Sequence, residues 1–138
     1  MASRSLGNPL GVVVLGMLAE GPMHPYGMRQ RVSERAYDRL PGVRVSSMYD
    51  AVSRLANAGL IRADESVRDG NRPERTPYAI TPAGREALTS WVETTLADDA
   101  DADGLPAALS FMYSLGRDRV TALLRARAAR LTGKTSPP

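Results

Sequence analysis

A mostly α-helical fold with one small two-stranded β-element, class α+β, is what this sequence predicts. Three observations predict it. First, SSMYDAVSRLANAG places Met48, Ala51, Val52 and Leu55 at the i, i+3, i+4, i+7 spacing of an amphipathic helix. Second, the apolar runs LIRA and PYAIT are separated by VRDGNRPER, a turn rich in Arg, Gly and Asn, as in a β-hairpin. Third, apolar residues recur at helical spacing both before and after that stretch. Helix, strand, basic turn and strand in this order describe a winged helix-turn-helix domain. There the helix can enter the major groove while the turn reaches phosphates or the minor groove beside it.

The first helix is expected from about Pro9 to Ala19, with Leu10, Val13, Val14, Met17 and Leu18 in register and Gly21-Pro22 as its stop. Val12 and Leu15 widen its apolar surface, so it is covered on more than one side. A second helix starts near Pro25, a residue suited to a first helical turn. Tyr26, Met28, Val32 and Ala36 lie inward or on its flank, and Arg29, Arg31, Glu34 and Arg35 on its outer face. Pro41-Gly42 breaks the chain. The third helix runs from about Ser46 to Ala58, with Ser46 or Ser47 as N-cap and Gly59 as stop. Leu60 to Glu65 and Pro77 to Thr81 form the strands, around the turn Asp69-Gly70-Asn71. Thr81 caps a fourth helix, about Ala83 to Leu96, with Pro82 at its first position.

Residues 1–96 thus form the first domain. ADDADADG, residues 97–104, is an acidic linker without a large apolar side chain. Residues 105–132 form two amphipathic segments, and 133–138 a disordered tail. The apolar stripe of the C-terminal segments is either a satellite of the core or a dimer seam. A helical arm with one apolar face needs a partner, and the domain before it is expected to close its own core, which favours the dimer. The seam is assigned to Leu88, Val92, Leu109, Met112, Val120, Leu123, Leu124 and Leu131.

Composition narrows the chemistry. The 138 residues are 43% hydrophobic and carry no cysteine, so a core is feasible while disulfides and thiolate metal sites are excluded. One histidine, His24, makes a histidine metal cluster a poor prospect, and it is read as a turn or capping residue. No metal or cofactor is expected. There is no run of about 18 apolar residues, so no membrane span is expected and the chain is read as cytoplasmic. Arginine supplies all but one of the 18 basic residues; Lys134 is the exception. Guanidinium forks suit phosphate and guanine, although an arginine-biased genome would give the same composition. Without a histidine pair, a Gly-rich phosphate loop or a nucleophile beside a base, an enzyme is not expected.

The expected DNA surface has two parts. Arg44, Ser46, Ser47, Tyr49, Asp50, Ser53 and Arg54 line the third helix and its start. Serines at a helix N-terminus can donate to phosphate where the dipole also favours an anion. Arg54 can bind guanine through both nitrogens, worth about 1–3 kcal/mol of discrimination; its rival is an i, i+4 pair with Asp50, worth about 0.2–0.5 kcal/mol. Asp50 either accepts from a cytosine amine or repels non-specific DNA. Tyr49 can donate to a phosphate or serve as a half-buried packing residue. Arg68, Asn71, Arg72 and Arg75 crowd the wing, where they contact DNA or form a solvated turn offset by Asp69 and Glu74. Trp91, the only tryptophan, is a core or interface residue; the sharper alternative is the wall of an apolar effector pocket.

VLGMLAEGPMHPYGMRQRVSER, SSMYDAVSRLANAGLI and GNRPERTPYAITPAGREAL resemble, in order and separation, motifs of PadR-like transcriptional regulators. The resemblance covers roughly Val14 to Leu88, and DGLPAALSFMYSLGRDRVTALLRARAARL is similar to the start of the helical tail in longer members. It implies a winged helix-turn-helix fold, a homodimer held by C-terminal helices, repression of nearby genes and, in some members, relief by a small molecule. The chain departs from the pattern at Pro25 (commonly glycine), at Gly27 (usually acidic) and at Asp50 (commonly proline), the last on the reading face. Its tail also lacks the further long helix of the longer members. The expected partners are double-stranded DNA, a second copy of the chain and a small apolar or aromatic effector. The alternative function is a winged-helix protein-interaction module without operator reading.

Overall fold

The computed structural model describes residues 9–64, 75–97 and 104–135. Helix α1, Pro9–Ala19, is buried from Leu10 to Leu18. A helix that is apolar all round must lie inside, and the other elements are built around this one. Helix α2, Pro25–Glu34, turns inward only Met28 and Val32 among its large apolar side chains, both at 0% exposure. Of the other two residues expected inward or on the flank, Tyr26 is 48% exposed, and Ala36 lies beyond the helix in the left-handed region (φ 57°, ψ 30°). His24 is the N-cap: its Nδ1 accepts from the Gly27 amide at 2.9 Å, satisfying one of the free donors of the first turn.

Helix α3, Met48–Asn57, buries Met48, Ala51, Val52 and Leu55, the predicted four. Ser47 stands at the N-cap position, one of the two serines predicted there, but without a side-chain capping bond. A 3₁₀ turn over Val45–Ser47 leads into the helix, the Ser47 and Met48 amides donate to Arg44 and Val45 carbonyls, and the Ser47 side chain makes no capping bond. Because the chain enters already coiled, backbone carbonyls take the place of a capping hydroxyl. The helix ends at Gly59 in the left-handed region (φ 78°), with Gly59 donating to Ala56 and Leu60 to Leu55, the paired bonds of a Schellman stop.

Strands β1, Ile61–Ala63, and β2, Tyr78–Ile80, are antiparallel, with Ile61 opposite Ile80 and Ala63 opposite Tyr78. They are shorter than predicted, although the Asp64 amide still reaches the Pro77 carbonyl at 2.8 Å. Met23 pairs with the other edge of β2 through both backbone bonds to Tyr78 (3.0 and 2.9 Å), which ties the start of α2 to the hairpin.

Helix α4, Pro82–Ala97, begins as predicted: Thr81 Oγ1 accepts from the Gly84 amide at 3.0 Å and donates to the Gly59 carbonyl at 2.7 Å. One hydroxyl therefore caps α4 and fixes the end of α3. Gly84 has no room for a side chain, because a Cβ would overlap the Leu60 carbonyl oxygen.

Helices α5, Leu105–Ser110, and α6, Arg117–Thr135, flank a 3₁₀ turn over Met112–Leu115, and all three pack on α4. Phe111 joins the core beside α1 at 0% exposure, so the first domain does not close that core unaided. The α6 helix continues past Gly133 to Thr135, where the sequence had suggested a tail. Arg127, 7% exposed, donates to the Thr95 (3.1 Å) and Leu96 (3.4 Å) carbonyls, and Arg130 donates to the Ala97 carbonyl. Guanidinium groups thus satisfy the last carbonyls of α4, at the end where the helix dipole favours a cation.

Leu88 (1%), Val92 (0%) and Leu123 (8%) are buried inside this single chain. They belong to its own core, not to the surface seam the sequence had assigned them, because α5 and α6 fold back onto α4. Leu109 (39%) and Leu131 (44%) are exposed, whereas Met112, Val120 and Leu124 are half-buried.

Candidate nucleic-acid interface

The polar face of α3 is the opposite of its buried one. With Met48, Ala51, Val52 and Leu55 turned into the core, helical geometry turns Asp50, Ser53, Arg54 and Asn57 to solvent. Together with Ser47 they line one shallow open groove. Asn57 is a member of this groove that the sequence did not assign to the site. Tyr49, 48% exposed, stands on the flank. Arg44 and Ser46 are exposed just before the helix. Of the residues that the sequence proposed for the third helix and its start, Ser47, Asp50, Ser53 and Arg54 share this groove, while Arg44, Ser46 and Tyr49 are exposed outside its lining.

Among the described residues Arg54 and Asp50 form no ion pair, so the helical pairing that competed with base contact is not made. Arg54 and Arg44 leave the site cationic at both ends, with Asp50 between them. The wing is seen only at its base. Arg75 is half-buried, close to Pro77 where the strand pairing begins, and so lies at the root of the hairpin. Arg68, Asn71 and Arg72 lie outside the described residues.

A second groove reaches the turn that leads into α3. Tyr26, Arg29, Gln30 and Ser33 on α2, with Asp38, enclose it, and its remaining wall is Val45, which opens the turn into α3. The sequence marked Arg29 as outward-facing. It gave no signal that this face borders the entry to α3, because that adjacency depends on how the residues between the two helices fold. Arg31 and Arg35 are drawn away from it, toward Glu20 at the end of α1.

Trp91 is half-buried on α4 and packs against the core. No group of three or more potential metal ligands occurs among the described residues. No described helix is long and apolar enough to cross a membrane.

A polar-faced helix held by two supporting helices and flanked by a small antiparallel hairpin defines a winged helix-turn-helix protein. Residues 14–90 match the Transcriptional regulator PadR-like family, and the chain belongs to that family. The match runs from the middle of α1 to the middle of α4 and stops before α5 and α6. An uncharacterised transposon protein of Streptomyces fradiae is 35% identical over 82 residues, 59% of this chain and 21% of that protein. A protein of Mycobacterium tuberculosis named as a transcriptional regulator is 34% identical over 76 residues, 55% of this chain and 65% of its own length. The chain thus spans less than two thirds of either relative. The family and the Mycobacterium tuberculosis relative together point to transcriptional regulation.

Proposed function

We propose that this chain is a sequence-specific DNA-binding repressor of nearby genes, acting as a homodimer. The observation that carries the reading is the α3 groove: Asp50, Ser53, Arg54 and Asn57 stand in the open on a helix whose other face is fully engaged in the core. In this reading Ser53 and Arg54 contact base edges, Arg44, Ser46, Ser47 and Tyr49 contact phosphates at the helix start, and Arg68, Asn71, Arg72 and Arg75 carry the wing. The exposed Leu109 and Leu131, with the half-buried Met112, Val120 and Leu124, support a seam between copies. A two-fold dimer would set its α3 helices about 34 Å apart on a pseudo-palindromic site. The half-buried Trp91 is the proposed wall for a small apolar effector that relieves repression. The chain is placed in the cytoplasm, where its DNA would be.

Asp50 favours a second reading, a protein-interaction module, because an exposed carboxylate on the reading face is repelled by phosphates. A salt titration of duplex binding separates the two. Phosphate-driven binding loses about 0.9 in log K per log unit of salt for each phosphate neutralised. A steep negative slope supports the repressor, and failure to bind duplex even at low salt refutes it in favour of the interaction module.

A further inference from the structure

Phe111 is the only phenylalanine of the chain. It comes from the C-terminal segment, outside the matched family region, yet is fully buried against the helix-turn-helix. Its ring fills the space over Gly16 in the middle of α1, where a Cβ would overlap Cε1 and Cδ1 of the ring. Glycine inside a helix is destabilising relative to alanine, and here its missing side chain is the seat of the ring. On its other side the ring meets Tyr37, with centroids 5.4 Å apart and planes tilted by 46°, a favourable aromatic arrangement.

Tyr37 belongs to the segment that joins α2 to α3. That segment contains only two three-residue 3₁₀ turns, Tyr37–Arg39 and Val45–Ser47, and a non-glycine residue, Ala36, in the left-handed region. Its apolar anchors are few: Val43 is buried, while Tyr37, Leu40 and Val45 are partly buried against the core. At its start Arg35 donates to the Tyr37 hydroxyl at 3.3 Å and holds Glu20. The connector therefore depends on a handful of contacts, and one of them is supplied by Phe111.

We propose that Phe111 is a positioning residue for α3: it fixes the α2–α3 connector through Tyr37 and Gly16, so that the placement of the C-terminal helices sets the aim of the DNA-reading face. The role rests on the reading of α3 as a DNA contact. A shift of α5 and α6, whatever its origin, would reach α3 through this ring.

The test uses the full chain with Phe111→Leu, and Phe111→Met should the leucine variant fail to fold. Leu96→Ala, a core truncation at the end of α4 where Arg127 binds, is the control for lost stability alone. Hydrogen exchange is read at the Leu40, Val43 and Ser47 amides, which close the connector turns at 3.0, 3.1 and 3.0 Å. After correction for global stability, the Phe111 variant is expected to exchange there on the order of tenfold faster than the control. Its preference for upstream over scrambled duplex is expected to fall by a similar factor while the control keeps it. Equal exchange in the two variants overturns the proposal. A wild type without duplex preference instead overturns the DNA reading, and the exchange data tell the two failures apart.

Discussion

Glu20, just past α1, binds the Arg35 guanidinium through both carboxylate oxygens, at 2.6 and 3.0 Å. That hydrogen-bonded pairing holds its carboxyl below the ordinary carboxylate range, with the charges of Arg35 and Arg31 adding to it against some desolvation. A lowered pKa means stability that is fully present above the unfolded value, near 4.5, and lost as the pH falls through the folded value. Both side chains are more than a third exposed, so solvent screening keeps the effect below about 1 kcal/mol. Glu20→Gln should therefore be less stable than the parent at about pH 6 and equal to it near pH 2 in urea denaturation. A difference that is the same at both pH values would refute the assignment. Single residues with a local hydrogen-bonding role were largely legible in the sequence: His24 and Thr81 cap the helices that follow them. The serines before α3 were not, because a 3₁₀ turn and a capping hydroxyl are alternative ways to satisfy the same amides. Arg127 and Arg130 carried no such signal. Their acceptors lie 32 and 33 residues earlier in the chain, beyond any local pattern.

At the scale of elements, periodicity was a good guide to existence and a weaker one to fate. Helix α1 ends at Ala19 as expected, since Gly21-Pro22 is strong punctuation. The four buried residues of α3 follow from spacing alone. The C-terminal stripe shows the limit. Period identifies an apolar face but not what covers it, and Leu123 turns out to be covered by this chain while Leu109 and Leu131 are not. The exposed pair leads to the next expectation: light scattering at micromolar concentration gives a dimer mass, and Leu109→Glu/Leu131→Glu shifts it toward monomer with the circular dichroism unchanged. A monomeric parent would remove the dimer from the account. Full burial of a leucine is worth about 1.5–3 kcal/mol, and Leu109 and Leu131 are already more than half buried, so Val120, Leu124 and Met112 are expected to contribute to any stable seam.

For the whole molecule, the order of elements in the sequence sufficed for the winged helix-turn-helix class, because helix, hairpin and helix follow one another locally along the chain. What was not legible is the closure of the molecule. Phe111 sits on Gly16, and Met23 completes the sheet edge beside Tyr78; both contacts join distant parts of the chain. Asp50, Ser53 and Arg54 line one groove because they share one helix. Arg75 lies near the root of the hairpin because turn residues are placed by where the strand pairing begins.

The central claim is that this groove reads base sequence. Its most direct test is binding to duplex DNA from upstream of the gene and to a scrambled duplex at physiological salt, for the parent and for Arg54→Ala. The account predicts preference for the upstream duplex and a loss of about 1–3 kcal/mol of that preference in Arg54→Ala, with non-specific binding nearly unchanged. Equal binding of both duplexes by the parent, or an Arg54→Ala variant that discriminates as well as the parent, would contradict it.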